Sequence, residues 1–204
     1  MLLIPTGRRG GSERFHASGP SELTVLPLGH AALAYLLYTS HVLSQTRRRP
    51  QYLALVPLAI GSQFPDLIDK PLAYLGVLTY GRSLAHSVFT FVFVSGVVWW
   101  GATTLRTRWP DTSWQGRLRG LTPVAFASGY LSHLLGDLYG PAAAGSANVR
   151  FVLYPVYVIP RAAGDDIAPW IRLIRIYREM GTHPQLELIL LALVVFVGLH
   201  RWED

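Results

Sequence analysis

The chain has no cysteine. That excludes disulfides and thiolate metal sites and leaves His, Asp and Glu as the available metal ligands. Charge is also scarce: Asp, Glu, Lys and Arg make up 15% of the 204 residues, against about 25% in a typical soluble domain. Lysine is nearly missing, since seventeen of the eighteen basic residues are Arg. No basic stripe interleaved with aromatics is present, so nucleic acid is not an expected partner. Met1–Ile4 is too short for the apolar core of a signal peptide, and residues 1–24, rich in Gly, Ser and Arg, read as a disordered tail.

What the chain does have is apolar sequence. Hydrophobic residues make up 50% of it, the mean hydropathy is +0.30, and several runs approach the length that crosses a bilayer. The expected fold is all-α: residues 25–204 form a single helical membrane domain, a polytopic bundle of about five spans. The runs are Pro27–Ser44, Gln51–Phe64, Leu84–Leu105, Leu121–Leu138 and Leu186–His200. Pro65 should end or kink the second run, and Ser83 is the expected N-cap of the third. Small residues recur along the fourth, from Ala125 to Gly136, which favours close helix packing and a central position. Gly140–Ser146 reads as a flexible loop and Phe151–Pro160 as an interfacial or packed one. Ala168–Met180 carries Arg172, Arg175 and Arg178 at three-residue spacing among Trp170, Ile171 and Ile174, the pattern of an amphipathic helix lying at the membrane surface.

With five spans, Arg47–Arg49 and Arg106, Arg108, Arg117 and Arg119 fall on one side, which the positive-inside rule makes cytoplasmic. The arginines of the tail and of the long loop fall on the other side and work against this orientation. The alternation of spans brings His30, the segment 65–86, His133 and Asp137 to one membrane face, the non-cytoplasmic one. The expected location is thus the cell membrane, multi-pass.

Those residues are the chemistry-bearing part of the chain. His133 and Asp137 are four apart and share a helix face. Asp66 and Asp69 are three apart, His86 begins the third run, and His30 opens the first. Three imidazoles and three carboxylates suit Zn²⁺ or another borderline divalent metal, one or two ions. A helix-packing hydrogen bond is the plainer account of His30 taken alone. Six such residues on one face are harder to explain by packing, because ionisable groups at membrane depth are usually paired or functional. Arg82 beside a helix start at Ser83 offers an anion site; the plainer account pairs it with Asp66 or Asp69. Lys70 reads as a snorkelling or pairing residue. A metal next to an anion site suggests phosphoester hydrolysis by a metal-activated water, with Arg82 stabilising developing charge and Asp69, if not a ligand, as general base. His16, His41, His183 and His200 have no such company.

The ordered set Gly29-His30, Phe64-Pro65-Asp66-Leu67-Ile68-Asp69, Arg82-Ser83-Leu84-Ala85-His86-Ser87 and Gly129-Tyr130-Leu131-Ser132-His133-Leu134-Leu135-Gly136-Asp137 resembles the membrane-bound, metal-dependent hydrolases described as LexA-regulated or YdjM-like. The resemblance covers about Pro27 to Pro160. It implies a helical metal site and, through the family's likeness to zinc-dependent phospholipase C, phosphoester cleavage. Membrane lipid, and a phospholipid or other phosphoester as substrate, are the partners it implies. Two other readings remain: a non-enzymatic protein that binds or transports metal, and a scaffold whose polar cluster only holds helices together. Ligands at one end of the bundle rather than at its midplane speak against transport.

Overall fold

The computed structural model describes residues 27–106, 108, 111–161, 165, 167–178 and 185–201. The tail of residues 1–24, His16, Trp109, Met180 and His183 lie outside them. The described residues form six α-helices, α1 (Pro27–Thr46), α2 (Tyr52–Tyr74), α3 (Val88–Thr104), α4 (Trp114–Ala143), α5 (Pro169–Arg178) and α6 (Leu186–His200), with a 3-10 helix at Ala147–Leu153 and no strand. The all-α expectation holds, and α1 and α6 lie where the apolar runs place them.

Three elements differ from expectation. Helix α2 does not stop at Pro65 but runs through Pro57, Pro65 and Pro71. Each proline removes one N–H bond, and close packing against α4 keeps the helix going. The cap of helix α3 lies four residues after Ser83. Ser87 is its cap, accepting from the Phe89 N–H at 3.2 Å. The Ser83, Ala85 and His86 N–H groups are instead held by Asp69. Helix α4 begins at Trp114, capped by Ser113, and carries Pro123 and Pro141 inside it, so most of Gly140–Ser146 is not loop.

Helix α4 is the central element, packed by α2 along one side and by α1 and α3 on others. The α2–α4 crossing is very close. A Cβ at Gly129 would stand 2.2 Å from the Leu58 carbonyl oxygen, and one at Gly61 would stand 2.2 Å from that of Phe126. Ala32, Ala34, Tyr35, Ala54, Leu58, Ala125 and Ala192 fill the space where α1, α2, α4 and α6 meet. Phe126, Tyr130 and Leu134 form a second cluster against Phe64, Phe91 and Val94.

The usual distribution of residue types is inverted. Helix α3 buries none of its residues, and Phe93 and Trp100 are 70% and 67% exposed, while His30, Asp69, His86 and His133 are fully enclosed. Exposed apolar surface on this scale marks an interaction site rather than a water-facing surface. Among the described residues, however, no helix is long and apolar enough to cross a membrane. The expectation of about five spans is not met for two physical reasons. Helices α3 and α6 are apolar but have 17 and 15 residues, roughly 25 and 22 Å of rise against a ~30 Å hydrocarbon core. Helices α2 and α4 have 23 and 30 residues but carry the charged and polar residues of the centre.

Candidate metal centre

Four segments meet where α1, α2 and α4 pass the turn at residues 75–87. His30 comes from α1, Asp66 and Asp69 from α2, Arg82 and His86 from the turn, and His133 and Asp137 from α4. One ligating atom from each of Asp66, His86, His133 and Asp137 lies within 4.8 Å of the others. The convergence expected from the alternation of the chain is present.

Hydrogen bonds fix the tautomers. The His133 Nδ1 lies 2.6 Å from the Ser62 carbonyl oxygen. A carbonyl can only accept, so Nδ1 carries the hydrogen and Nε2 presents a lone pair. His86 Nδ1 lies 2.8 Å from Asp69 Oδ2, which likewise turns its Nε2 inward. The two Nε2 atoms are 3.2 Å apart. Around them stand Asp137 Oδ2, at 3.1 Å from His86 and 3.5 Å from His133, and Asp66 Oδ1, at 3.5 and 3.7 Å. Four potential ligand atoms therefore converge on one place, an arrangement that a bound cation would satisfy. Two imidazole nitrogens bound at ~2.0–2.1 Å to one tetrahedral ion would be about 3.3 Å apart, which is the spacing found. The buried Asp66 Oδ1 has no hydrogen-bond partner among the protein atoms. The donor set thus fits a divalent metal held by two histidines and two aspartates.

His30 stands beside this set. Its ring stacks on His133 at 3.8 Å, its Nε2 is 3.5 Å from Asp137 Oδ1, and both its ring nitrogens are buried without a hydrogen bond. Asp69 lies behind the cluster. Its oxygens accept from the N–H groups of Ser83, Ala85 and His86 at 2.7, 2.8 and 3.2 Å and hold His86 from the rear. That is the position of an orienting carboxylate, which fixes ring and tautomer. Asp69→Asn is expected to weaken metal binding by about 10–100-fold, read by competition with a chromophoric chelator; unchanged affinity would leave Asp69 with a role in the turn alone.

Arg82 differs most from expectation. Its Nε and Nη2 donate to the two oxygens of Asp137 at 3.0 and 3.2 Å, and its side chain is only 11% exposed. With the N–H groups of residues 83, 85 and 86 occupied by Asp69, the expected anion site at a helix start is absent there. Arg82 does form an ion pair, but with Asp137 rather than Asp66 or Asp69. Burial opposes its charge; Asp137, then Tyr80 and Asp66, outweigh burial and raise its pKa. Lys70 does pair, as expected, with its Nζ against Asp66 Oδ2 one helical turn away.

Burial disfavours the charge of His86, but hydrogen bonding to Asp137, Asp66 and Asp69 prevails, and its pKa is pushed up to about 10. A cation bound through the His86 Nε2 would displace the proton so retained. Metal uptake at neutral pH should therefore release protons, and affinity should rise as pH rises toward 10. Calorimetry in buffers of different ionisation enthalpy would measure the release.

Several supporting groups were not legible in the residue pattern. The Ser62 carbonyl is backbone and carries no side-chain signal. Tyr130, fully buried, donates its hydroxyl to the Ala85 carbonyl and so ties α4 to the turn. Asp165 accepts from the Gly81 N–H at 3.2 Å, and Ser87 Oγ donates to the Tyr154 carbonyl at 2.6 Å. Phe151, from the 3-10 helix, packs its ring 6.0 Å from that of His86. Small residues along α4 were a usable signal for the first of these contacts, since Gly129 is what lets His133 reach α2.

No curated protein and no solved structure matches the chain. The profile of a family described as YdjM inner membrane protein matches residues 25–203, so it takes in every residue of the centre. The chain belongs to the YdjM inner membrane protein family.

Proposed function

We propose that the chain is a membrane-embedded metal-dependent hydrolase of a phosphoester. The observation that supports it most is the pair of inward Nε2 lone pairs of His86 and His133, 3.2 Å apart and flanked by Asp66 and Asp137. His86, His133, Asp66 and Asp137 would hold the ion, and Zn²⁺ suits their nitrogen and oxygen donors. When bound, such an ion supplies Lewis acidity and an activated water.

The protein's own groups have separate tasks. Asp69 and the Ser62 carbonyl aim the two imidazoles. Arg82 keeps Asp137 ionised and fixed in rotation, and thereby positions a ligand rather than a substrate. Asp69, engaged on both oxygens, is not free to take a proton. Asp66 is the more open carboxylate; Lys70 holds its Oδ2, which leaves Oδ1 turned toward the place of the ion. In the reaction, water oxygen bonds to phosphorus, the ester P–O bond breaks, and the water's proton leaves with the alcohol.

Membrane placement follows from the family description and from α3, whose exposed apolar residues need lipid or protein against them. We place the protein in the cell membrane in several passes, with the centre toward the non-cytoplasmic face. The short α3 and α6 would then require local thinning of the bilayer.

The test is elemental analysis of the purified protein together with turnover of phosphomonoester and phosphodiester substrates. Wild-type protein is expected to carry at least one equivalent of metal and to hydrolyse an ester bond, releasing phosphate from a monoester or a monoester from a diester, and His133→Ala is expected to lose both. A metal-free protein of normal fold would sink the proposal. One observation favours a second reading: three of the four ligands are buried to within 3% exposure, as in closed, structural metal sites. Stoichiometric metal without turnover of any phosphoester would favour that non-enzymatic metal-binding role.

A further inference from the structure

Between α2 and α5 lies an open cleft of about 480 Å³, within the range that ordinary small-molecule sites occupy. Asp66 lines it, the only member of the four-residue cluster to do so among the described residues. Lys70 and Arg172 lie at the same cleft. Gln63 and Tyr177 also line it, and the rest of its wall is apolar, including Leu67 from α2 and Trp170 and Leu173 from α5. Leu67 and Trp170 are 65% and 60% exposed, so this surface waits for a partner. The α5 wall is held in place by Trp170, whose ring packs 5.7 Å from that of Tyr74 on α2, and by Arg172, which lies 3.5 Å from Asp165 and so is tied to the turn at Gly81.

Two ion-paired cations and a largely apolar wall in one cleft describe a ligand with two unlike parts. We propose that this cleft binds a lipid whose head is a phosphate ester, with the head toward Asp66 and Lys70 and the hydrocarbon against Leu67, Trp170 and Leu173. The inference rests on the hydrolase reading and gives it a substrate class. It also moves substrate recognition from Arg82, which is bound to both oxygens of Asp137 and only 11% exposed, to Lys70, which pairs with Asp66 but is 25% exposed and has further ammonium hydrogens to donate. An anion approaching the cluster along the cleft meets the Lys70 ammonium beside the Asp66 carboxylate. The occupant is a lipid rather than free phosphate because a small anion would leave the exposed Leu67 and Trp170 surfaces uncovered.

Calorimetric titration of the full chain in non-ionic detergent, loaded with Zn²⁺, tests this. The probes are dioctanoyl phosphatidic acid, dioctanoylglycerol and inorganic phosphate. The phosphorylated lipid is expected to bind at least tenfold tighter than either of the others. Lys70→Ala should weaken the phosphorylated lipid about tenfold and leave dioctanoylglycerol unchanged. Leu67→Gln, at an exposed position that does not threaten the fold, should weaken both lipids and leave inorganic phosphate unchanged. Inorganic phosphate binding as tightly as the phosphorylated lipid would overturn the inference, as would undiminished lipid binding in both Leu67→Gln and Trp170→Ala. The expected binding without phosphate release would leave the cleft assignment standing and overturn the hydrolase reading. Phosphate release from a water-soluble ester, with no lipid preference, would do the reverse.

Discussion

Gly129→Ala is expected to lose about 3 kcal/mol of stability and the protein's metal together. The added Cβ would lie 2.2 Å from the Leu58 oxygen, 2.8 Å from the Ser62 nitrogen and 3.2 Å from the Gly61 carbonyl carbon. All three are backbone atoms of α2, so no side chain can turn aside; the helices themselves must part. Overpacking of a tight interface costs about 1–3 kcal/mol and occasionally more, and a backbone collision belongs at the upper end. Separation of α2 from α4 also breaks the 2.6 Å bond from His133 Nδ1 to the Ser62 carbonyl, which sets the imidazole. Thermal unfolding in detergent and metal content would be read on the same sample. Gly96→Ala is the control, since a Cβ there meets nothing within 4 Å, and it should unfold at or slightly above the wild-type temperature because alanine is the better helix former. Wild-type metal content in Gly129→Ala would show that the crossing does not govern the centre.

Asp137→Asn is expected to cost about 3–5 kcal/mol, the range for removing one partner of a buried ion pair, and to abolish metal binding. Asp137 faces Arg82 through two hydrogen bonds and also faces His30, His86 and His133. Without its charge, an 11% exposed guanidinium has lost its counter-ion. The two effects separate in a double variant. Arg82→Gln with Asp137→Asn removes both charges and should regain most of the stability, because the stranded charge is gone, yet should still bind no metal. If the double variant is no more stable than Asp137→Asn, the pair is not what sustains this part of the fold.

How far the sequence carried these conclusions depends on the kind of contact. The helical class and the ends of α1 and α6 were readable because long apolar runs with few breakers leave little choice. So was the meeting of His30, Asp66, His86, His133 and Asp137, because helices that alternate in direction return their ends to one face. What was not readable depends on which of two equivalent local signals wins. Ser83 and Ser87 are both reasonable caps. The Asp69 carboxylate decides between them by taking the N–H groups that an earlier helix start would have used, and its reach across fourteen residues to Ser83 has no local signature. Pro65 is a breaker by local rules, but the α2–α4 contact at Gly61 and Gly129 overrides it. Arg82 could have met any of three aspartates from its place in the chain; the register of α4 puts Asp137 there.

The single lysine of the chain has a consequence of a different kind. Lys70 is the chain's one side-chain amine, it remains 25% exposed, and it lies on the cleft beside Asp66. An amine-directed fluorophore or crosslinker therefore has one internal address in this protein, at the mouth of the metal centre, without any engineered residue. The chain comes with its own spectroscopic handle at the place where its chemistry is proposed to occur.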